Sequence, residues 1–144
     1  MASRMLSDLE AGTSRRVTEF IAACRKEGIE LLVTATYRSP EEQDKLYAQG
    51  RTTPGNKVTN ARGGESFHNC RRACDVVPTI HGKPVWDDKD PLWTKIGLIA
   101  ARCDLEWGGL WKFMDKPHVQ YRGCEKHGLH EKATAFSPTG ACLA

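Results

Sequence analysis

The sequence predicts one domain in which helices and short strands are mixed. Two observations predict it. The chain has 144 residues, the length of one ordinary domain, and a core of that size can bury roughly 68–70% of the unfolded surface without staples. Capped amphipathic segments also alternate with β-branched apolar runs, with no internal repeat, low-complexity tract or linker between them. A composition of 40% hydrophobic and 27% charged residues is that of a soluble globular protein and argues against a disordered or fibrous chain.

The first helix is expected from near Ser7, where Ser7-Asp8-Leu9-Glu10 fits a capping box. Leu9, Val17, Phe20, Ile21 and Cys24 would form its buried stripe and Gly28 its stop. Residues 29–37 are apolar and β-branched and read as a buried strand. A second helix is expected from Ser39-Pro40-Glu41-Glu42, with Ser39 as cap, Pro40 in the first turn and Glu42 closing the box. It runs to about Ala48, and Gly50 ends it. Residues 51–67 read as a long loop with turns at Pro54-Gly55 and Gly63-Gly64, and such a loop in a compact domain is often functional. Arg72 to Thr79 reads as a strand, residues 80–83 as a turn, and Pro84-Val85-Trp86 as a short partner strand. Asp90-Pro91 opens a third helix with Trp93, Ile96, Leu98, Ile99 and Ala100 on its apolar face. Trp107-Gly108-Gly109-Leu110-Trp111 reads as a Gly-rich aromatic turn, and His118 to Tyr121 as a final strand.

A formal net charge of +3 gives weak attraction to anionic surfaces. Arg15-Arg16 and Arg71-Arg72 are isolated pairs, so a nucleic-acid partner is not expected. No apolar run approaches the ~20 residues of a membrane span, and membrane insertion is not expected either. The first ten residues lack the apolar stretch of a secretory signal, which implies residence in the cytosol of the producing cell. The six cysteines are even in number, but in a reducing compartment free thiols are expected rather than disulfides. A monomer is expected.

Candidate chemistry gathers in two segments, residues 66–75 and 107–118, with Tyr37-Arg38-Ser39 upstream. Two histidines and one carboxylate, His68, Asp75 and His118, make a common catalytic zinc set that leaves a fourth position for water. Zinc lowers the pKa of such a water toward ~7. Asp115, three positions before His118, is placed to act as general base. The Arg38 guanidinium could stabilise an oxyanion. By spacing alone this is a modest signal, since scattered His and Asp occur in most proteins.

The blocks in order are more specific. They are Tyr37-Arg38-Ser39, Glu42-Gln43, Leu46-Tyr47, Gly50-Arg51-Thr52, Pro54-Gly55, Ser66, His68-Asn69, Asp75, Trp107-Gly108-Gly109, Asp115, Pro117-His118 and Gln120. Together they resemble the D-Ala-D-Ala carboxypeptidase / L-alanyl-D-glutamate endopeptidase family of zinc peptidases, which cut peptidoglycan stem peptides and include many bacteriophage endolysins. The resemblance covers about residues 30–121 of one domain spanning 1–144, with residues 124–144 as a tail. It implies an α+β fold of the hedgehog/D,D-peptidase type, with a small antiparallel sheet carrying the ligands. It implies Zn2+ held by His68, Asp75 and His118, Asp115 as the catalytic acidic residue, Arg38 on substrate and oxyanion, and Ser66 as a substrate-side hydroxyl. It also implies peptidoglycan as partner, with action on the cell wall after release from the producing cell. The Gly-Arg-Thr-x-Pro-Gly stretch points to an endolysin-like endopeptidase, and a D,D-carboxypeptidase removing terminal D-Ala is the alternative. Two positions depart from the family pattern. Arg71 stands where glycine is usual, so the local turn is expected to differ, and Cys74 replaces an apolar residue before Asp75.

Plainer readings stand beside these. Cys70 and Cys74 flank the ligand segment, but Cys74 reads as core filling and Cys70 as a loop residue. Cys124-x-x-His127-x-x-His130 lacks a paired Cys-x-x-Cys and reads as tail rather than as a second metal site. The four tryptophans read mostly as core, with Trp107 and Trp111 as alternative cleft walls. Arg51 and Asn56 divide evenly between substrate contact and solvation. A non-catalytic zinc- or wall-binding module is the rival from another class, and Asp115 is the residue such a binder would not need.

Overall fold

A computed structural model describes residues 1–122 of the chain. Its elements in order are α1 (Ala11–Lys26), β1 (Glu30–Ala35), α2 (Pro40–Ala48), β2 (Ala73–Ile80), β3 (Lys83–Pro84), α3 (Leu92–Arg102), β4 (Glu106–Trp107) and β5 (His118–Gln120), with short 3-10 turns at Leu6–Asp8, Phe67–Cys70 and Gly108–Leu110. The strands form one antiparallel sheet in the order β1-β2-β5-β4, with β3 paired to β2. This is the expected α+β architecture. No helix among the described residues is long and apolar enough to cross a membrane.

The sheet has two faces because side chains alternate along each strand. Cys74, Val76 and Val119 point into the core, where they meet Val17, Phe20 and Cys24 of α1 and Trp93, Ile96, Ile99 and Ala100 of α3. Asp75, His118 and Gln120 leave the same strands on the opposite side, toward the cleft described below. A shift of one residue in β2 would exchange Asp75 for a core residue, so burial of one face pins the register.

The second helix begins as its sequence dictates. The Ser39 hydroxyl accepts from Glu42 N, Glu42 reaches back to Ser39 N, and Pro40 opens the first turn. The first helix does not begin at Ser7. Residues 6–8 form a 3-10 turn, and Glu10 is the cap, accepting from Thr13 N at 2.6 Å. Thr13 explains the difference, because its buried hydroxyl also donates to Glu10. Burial alone would raise the Glu10 carboxyl, but the Thr13 and Gly12 donors outweigh it and hold it below its ordinary value. We expect Glu10→Ala to cost about 1 kcal/mol, in line with lost caps elsewhere. The sign with pH follows from the lowered pKa. The contribution is complete above the ordinary Glu pKa and fades as pH falls through the folded one. Thermal melts of wild type and Glu10→Gln across that acid range check it; parallel pH profiles would remove the carboxylate from the cap.

Three further expectations change. Trp107, read as the start of a turn region, instead forms with Glu106 a two-residue strand on β5. Trp86 is 57% exposed and is not core, whereas Trp93 is 2% exposed. Cys70 is disulfide-bonded, while Cys24, Cys74 and Cys103 are free. Cys70 is therefore not the free thiol that was expected. The Cys124/His127/His130 cluster and the rest of the tail also lie outside the described residues.

Candidate metal centre and cleft

Three elements bring the centre together. The antiparallel pairing of β2 with β5 sets Asp75 directly opposite His118. His68 arrives from the 3-10 turn just before β2, which is capped by Ser66 and Asn69. Asn69 also ties this turn to the segment between β1 and α2, donating to the Arg38 carbonyl at 2.8 Å. Arg71 ends the turn in left-handed backbone, at φ 62° and ψ 31°. The turn therefore keeps the conformation that glycine would favour, rather than changing as expected. Strain of about 1–2 kcal/mol is offset by Arg71 Nη1 donating to the Asp8 carbonyl and by its guanidinium lying 4.0 Å from the Tyr37 ring centroid.

The ligand-type atoms of His68, Asp75 and His118 all lie within 4.8 Å of one another. Asp75 Oδ1 is 3.1 Å from His68 Nε2 and 3.2 Å from His118 Nδ1. Tetrahedral zinc with bonds of about 2.0–2.2 Å has ligand atoms roughly 3.3 Å apart, so these donors fit such an ion. His68 Nδ1 lies 2.7 Å from the Thr36 carbonyl. A carbonyl only accepts, so Nδ1 carries a hydrogen, and in the neutral ring that binds metal the lone pair is on the inward Nε2. Cys74 points to the other face of the sheet, and burial pushes its thiol far up. Cys70 is not a thiolate. Neither supplies a ligand atom here.

Without a metal, and with the imidazoles protonated, burial pushes Asp75 up, but the charge of His68 and the hydrogen bonds from His118 and His68 outweigh it, holding its carboxyl well below the carboxylate range. For His118 burial works downward, and its bond to Asp75 together with the Asp75 and Asp115 charges raises it overall. Asp115 is raised, chiefly by burial, against the opposing pull of His118. Its Oδ2 lies 3.9 Å from His118 Nδ1. Arg38 Nη2 lies 3.7 Å from Asp75 Oδ2, and Arg38 Nη1 donates to Gln43 Oε1 at 2.9 Å. All six sequence-named site residues, Arg38, Ser66, His68, Asp75, Asp115 and His118, line one cleft of about 570 Å³.

The long loop forms one wall of this cleft through Val58, Thr59, Ala61 and Glu65. It is held in place rather than left open. Gln43, 1% exposed, donates to Thr59 Oγ1 and the Ala61 carbonyl, and Asp44 accepts from Gly63 N. Arg51 donates to the Tyr47 and Thr59 carbonyls, so it braces the loop. Neither Arg51 nor Asn56 lines the cleft. Sequence reading gave Gln43 and Glu106 no role. Gln43, on the second turn of a capped helix, carried a signal in being polar where the helix meets the loop; Glu106 carried none.

Trp111 lines the cleft and Trp107 does not. Trp107 fills a slot between two glycines. A Cβ on Gly97 would lie 2.2 Å from the indole on one side, and a Cβ on Gly109 would lie 2.1 Å from it on the other. Its Nε1 donates to the Lys116 carbonyl at 2.8 Å, and Asp115 N donates to the Gly108 carbonyl at 2.9 Å. The indole thus sets the path of the loop that presents Asp115. Gly97→Ala is expected to destabilise by about 1–3 kcal/mol through overpacking, lowering the melting temperature by several degrees. An unchanged melt would mean that the slot can open.

Known proteins resemble this chain in sequence and fold. A profile of the D-alanyl-D-alanine carboxypeptidase family matches residues 59–121, a stretch that contains His68, Asp75, Asp115 and His118. The peptidoglycan L-alanyl-D-glutamate endopeptidase CwlK of Bacillus subtilis (strain 168) is 40% identical over 123 residues, covering 79% of this chain and 74% of its own. The Serratia marcescens L-Ala D-Glu endopeptidase ChiX matches with a TM-score of 0.60 at 21% identity, over 84% of this chain and 88% of its own. A VanB-type vancomycin-resistance D,D-pentapeptidase, solved with Zn(II), matches at 0.59 and 15% identity, over 94% and 81%. At such identities the solved structures speak to the fold. The sequence relationship goes further: this chain belongs to the D-Ala-D-Ala carboxypeptidase / L-alanyl-D-glutamate endopeptidase family of metallopeptidases.

Proposed function

We propose that this chain is a zinc-dependent peptidoglycan hydrolase that cuts the L-alanyl-D-glutamate bond of stem peptides. The observation that carries the bond assignment is the 40% identity with an L-alanyl-D-glutamate endopeptidase. The family as a whole also includes D,D-carboxypeptidases, so terminal D-Ala is the competing target.

In this reading His68, Asp75 and His118 hold the ion. Zinc supplies a Lewis acid for the scissile carbonyl and brings water ionisation near neutrality. Asp115 sits at the cleft, apart from the ligand atoms, where its carboxylate takes the proton of the attacking water and passes it to the leaving amine. Arg38, braced by Gln43 and Asp75, directs its guanidinium toward the carbonyl oxygen as negative charge develops there. The Ser66 oxygen accepts from His68 N at 3.2 Å, which leaves its O–H to donate to substrate. The loop wall and Trp111 enclose the peptide and exclude water from it.

Purified peptidoglycan digested with and without a chelator tests the reading. New L-Ala carboxyl termini by mass spectrometry, abolished by the chelator, are expected. Release of D-Ala alone would replace it with the carboxypeptidase reading, and lysis indifferent to the chelator would remove the metal. The endolysin-like role, a monomer acting on the wall after leaving the producing cell, predicts lysis when the enzyme is co-expressed with a pore-forming protein. Intact cells under those conditions would end that part of the proposal.

A further inference from the structure

Glu106 is the most heavily bonded carboxylate near the cleft. Its Oε1 accepts from Arg122 Nε at 2.8 Å. Its Oε2 accepts from Gln120 Nε2 at 2.9 Å, Arg122 Nη2 at 3.0 Å and Trp111 Nε1 at 3.1 Å. Strand register explains the first of the Oε2 contacts, since Glu106 of β4 pairs with Gln120 of β5. Gln120 in turn lies two residues beyond His118, on the same face of its strand, and its Oε1 is 2.8 Å from His118 Nε2.

The donor and acceptor chemistry of this chain leaves one arrangement. A carboxylate only accepts, so the Gln120 amide must turn its NH2 toward Glu106 and its oxygen toward His118. An amide oxygen also only accepts, so His118 Nε2 must carry a hydrogen. In the neutral ring that binds metal, the lone pair is then left on Nδ1, the nitrogen that faces Asp75 Oδ1 at 3.2 Å and Asp115 Oδ2 at 3.9 Å. His68 reaches the same condition through a backbone carbonyl, which no side-chain substitution removes. His118 depends on which way a side-chain amide points.

We propose that Glu106 is a positioning residue: by orienting the Gln120 amide it holds His118 as the Nε2–H tautomer, and so makes Nδ1 the metal-binding atom. The proposal rests on the reading of His118 as a ligand. It also assigns a task to β4, whose two residues hold the Asp115 loop through Trp107 and one metal ligand through Glu106. Arg122 and Trp111 keep the carboxylate satisfied, so that Glu106 need not turn away from Gln120.

The test uses the zinc-loaded protein with 15N-labelled histidine. In wild type we expect His118 to show a protonated Nε2 and a zinc-bound Nδ1. Zinc affinity, measured by competition with a chromophoric chelator, should fall roughly 10–100-fold in Glu106→Ala and similarly in Gln120→Ala. The double variant should be no weaker than Gln120→Ala, because the two act in series. Glu106→Gln should stay within a few-fold of wild type, since its remaining oxygen is selected by the same donors. Zinc bound through Nε2 in the wild-type spectrum would overturn the proposal even if no variant folds. So would unchanged affinity in a folded Glu106→Ala, or additive losses in the double variant. A His118 ring with neither nitrogen bound to zinc would instead sink the ligand assignment beneath it.

Discussion

Asp115→Ala is expected to bind zinc as tightly as wild type and to lose roughly 10²–10⁴-fold in turnover, the range ascribed to a lost general base. The separation of the two effects comes from geometry. Asp115 Oδ2 is 3.9 Å from His118 Nδ1, whereas Asp75 Oδ1 lies 3.1 Å and 3.2 Å from the two imidazoles. In the proposed assignment Asp75 completes the ligand triangle, and Asp115 lies outside it in the same cleft. The Asp115 backbone is fixed independently, because its N–H bonds the Gly108 carbonyl and its own carbonyl accepts from His118 N. Truncating the side chain should not move the loop. Zinc stoichiometry and turnover of a stem peptide, measured on the same preparation, check this. Full turnover would remove Asp115 from the mechanism and revive the reading of a binding module. Loss of zinc would make it a ligand instead.

His68→Ala should show the opposite pattern, losing metal and activity together. His68 is 2% exposed and is one of three donors, so its loss should exceed the roughly 10–100-fold typical of a group one step further from the metal. Removing the ring also leaves the Thr36 carbonyl without its partner and opens a cavity beside Asp75. The melting temperature should therefore fall even without metal. Chelator competition and melts of the metal-free proteins separate the two losses. Wild-type zinc affinity in His68→Ala would break the assignment of the centre.

Much of the site was legible because its chemistry is carried by residue types in fixed local order. Seven positions separate His68 from Asp75, and one capped turn followed by one strand spans them. Ser39, Pro40 and Glu42 announced α2 because a cap is made from neighbours in the chain. Arg38 was named for its charge and found in the cleft. Other features depended on partners distant in sequence. The start of α1 was expected at Ser7, because Ser7 and Glu10 match a capping box; Glu10 is the cap instead, bonded to Thr13 three residues on, and only the burial of Thr13 depends on the rest of the fold. Trp107 and Trp111 look alike in sequence, yet one lies between Gly97 and Gly109 and the other walls the cleft. Cys70 and Cys74 were both plausible free thiols, but only Cys74 remains one.

By itself the sequence determined the helix boundaries that local caps specify, the kinds of atom available to a metal, and the family to which their order belongs. Tertiary structure alone decided which of these atoms meet. Pairing of β2 with β5 sets Asp75 opposite His118 across 43 residues of chain, and core burial of the alternate positions prevents that register from slipping. It also decided which nitrogen each histidine turns inward. That choice belongs to the groups behind the rings, the Thr36 carbonyl and the Gln120 amide held by Glu106. A hydrogen-bond acceptor supplied from a neighbouring strand leaves no trace in the spacing of the residues it orients.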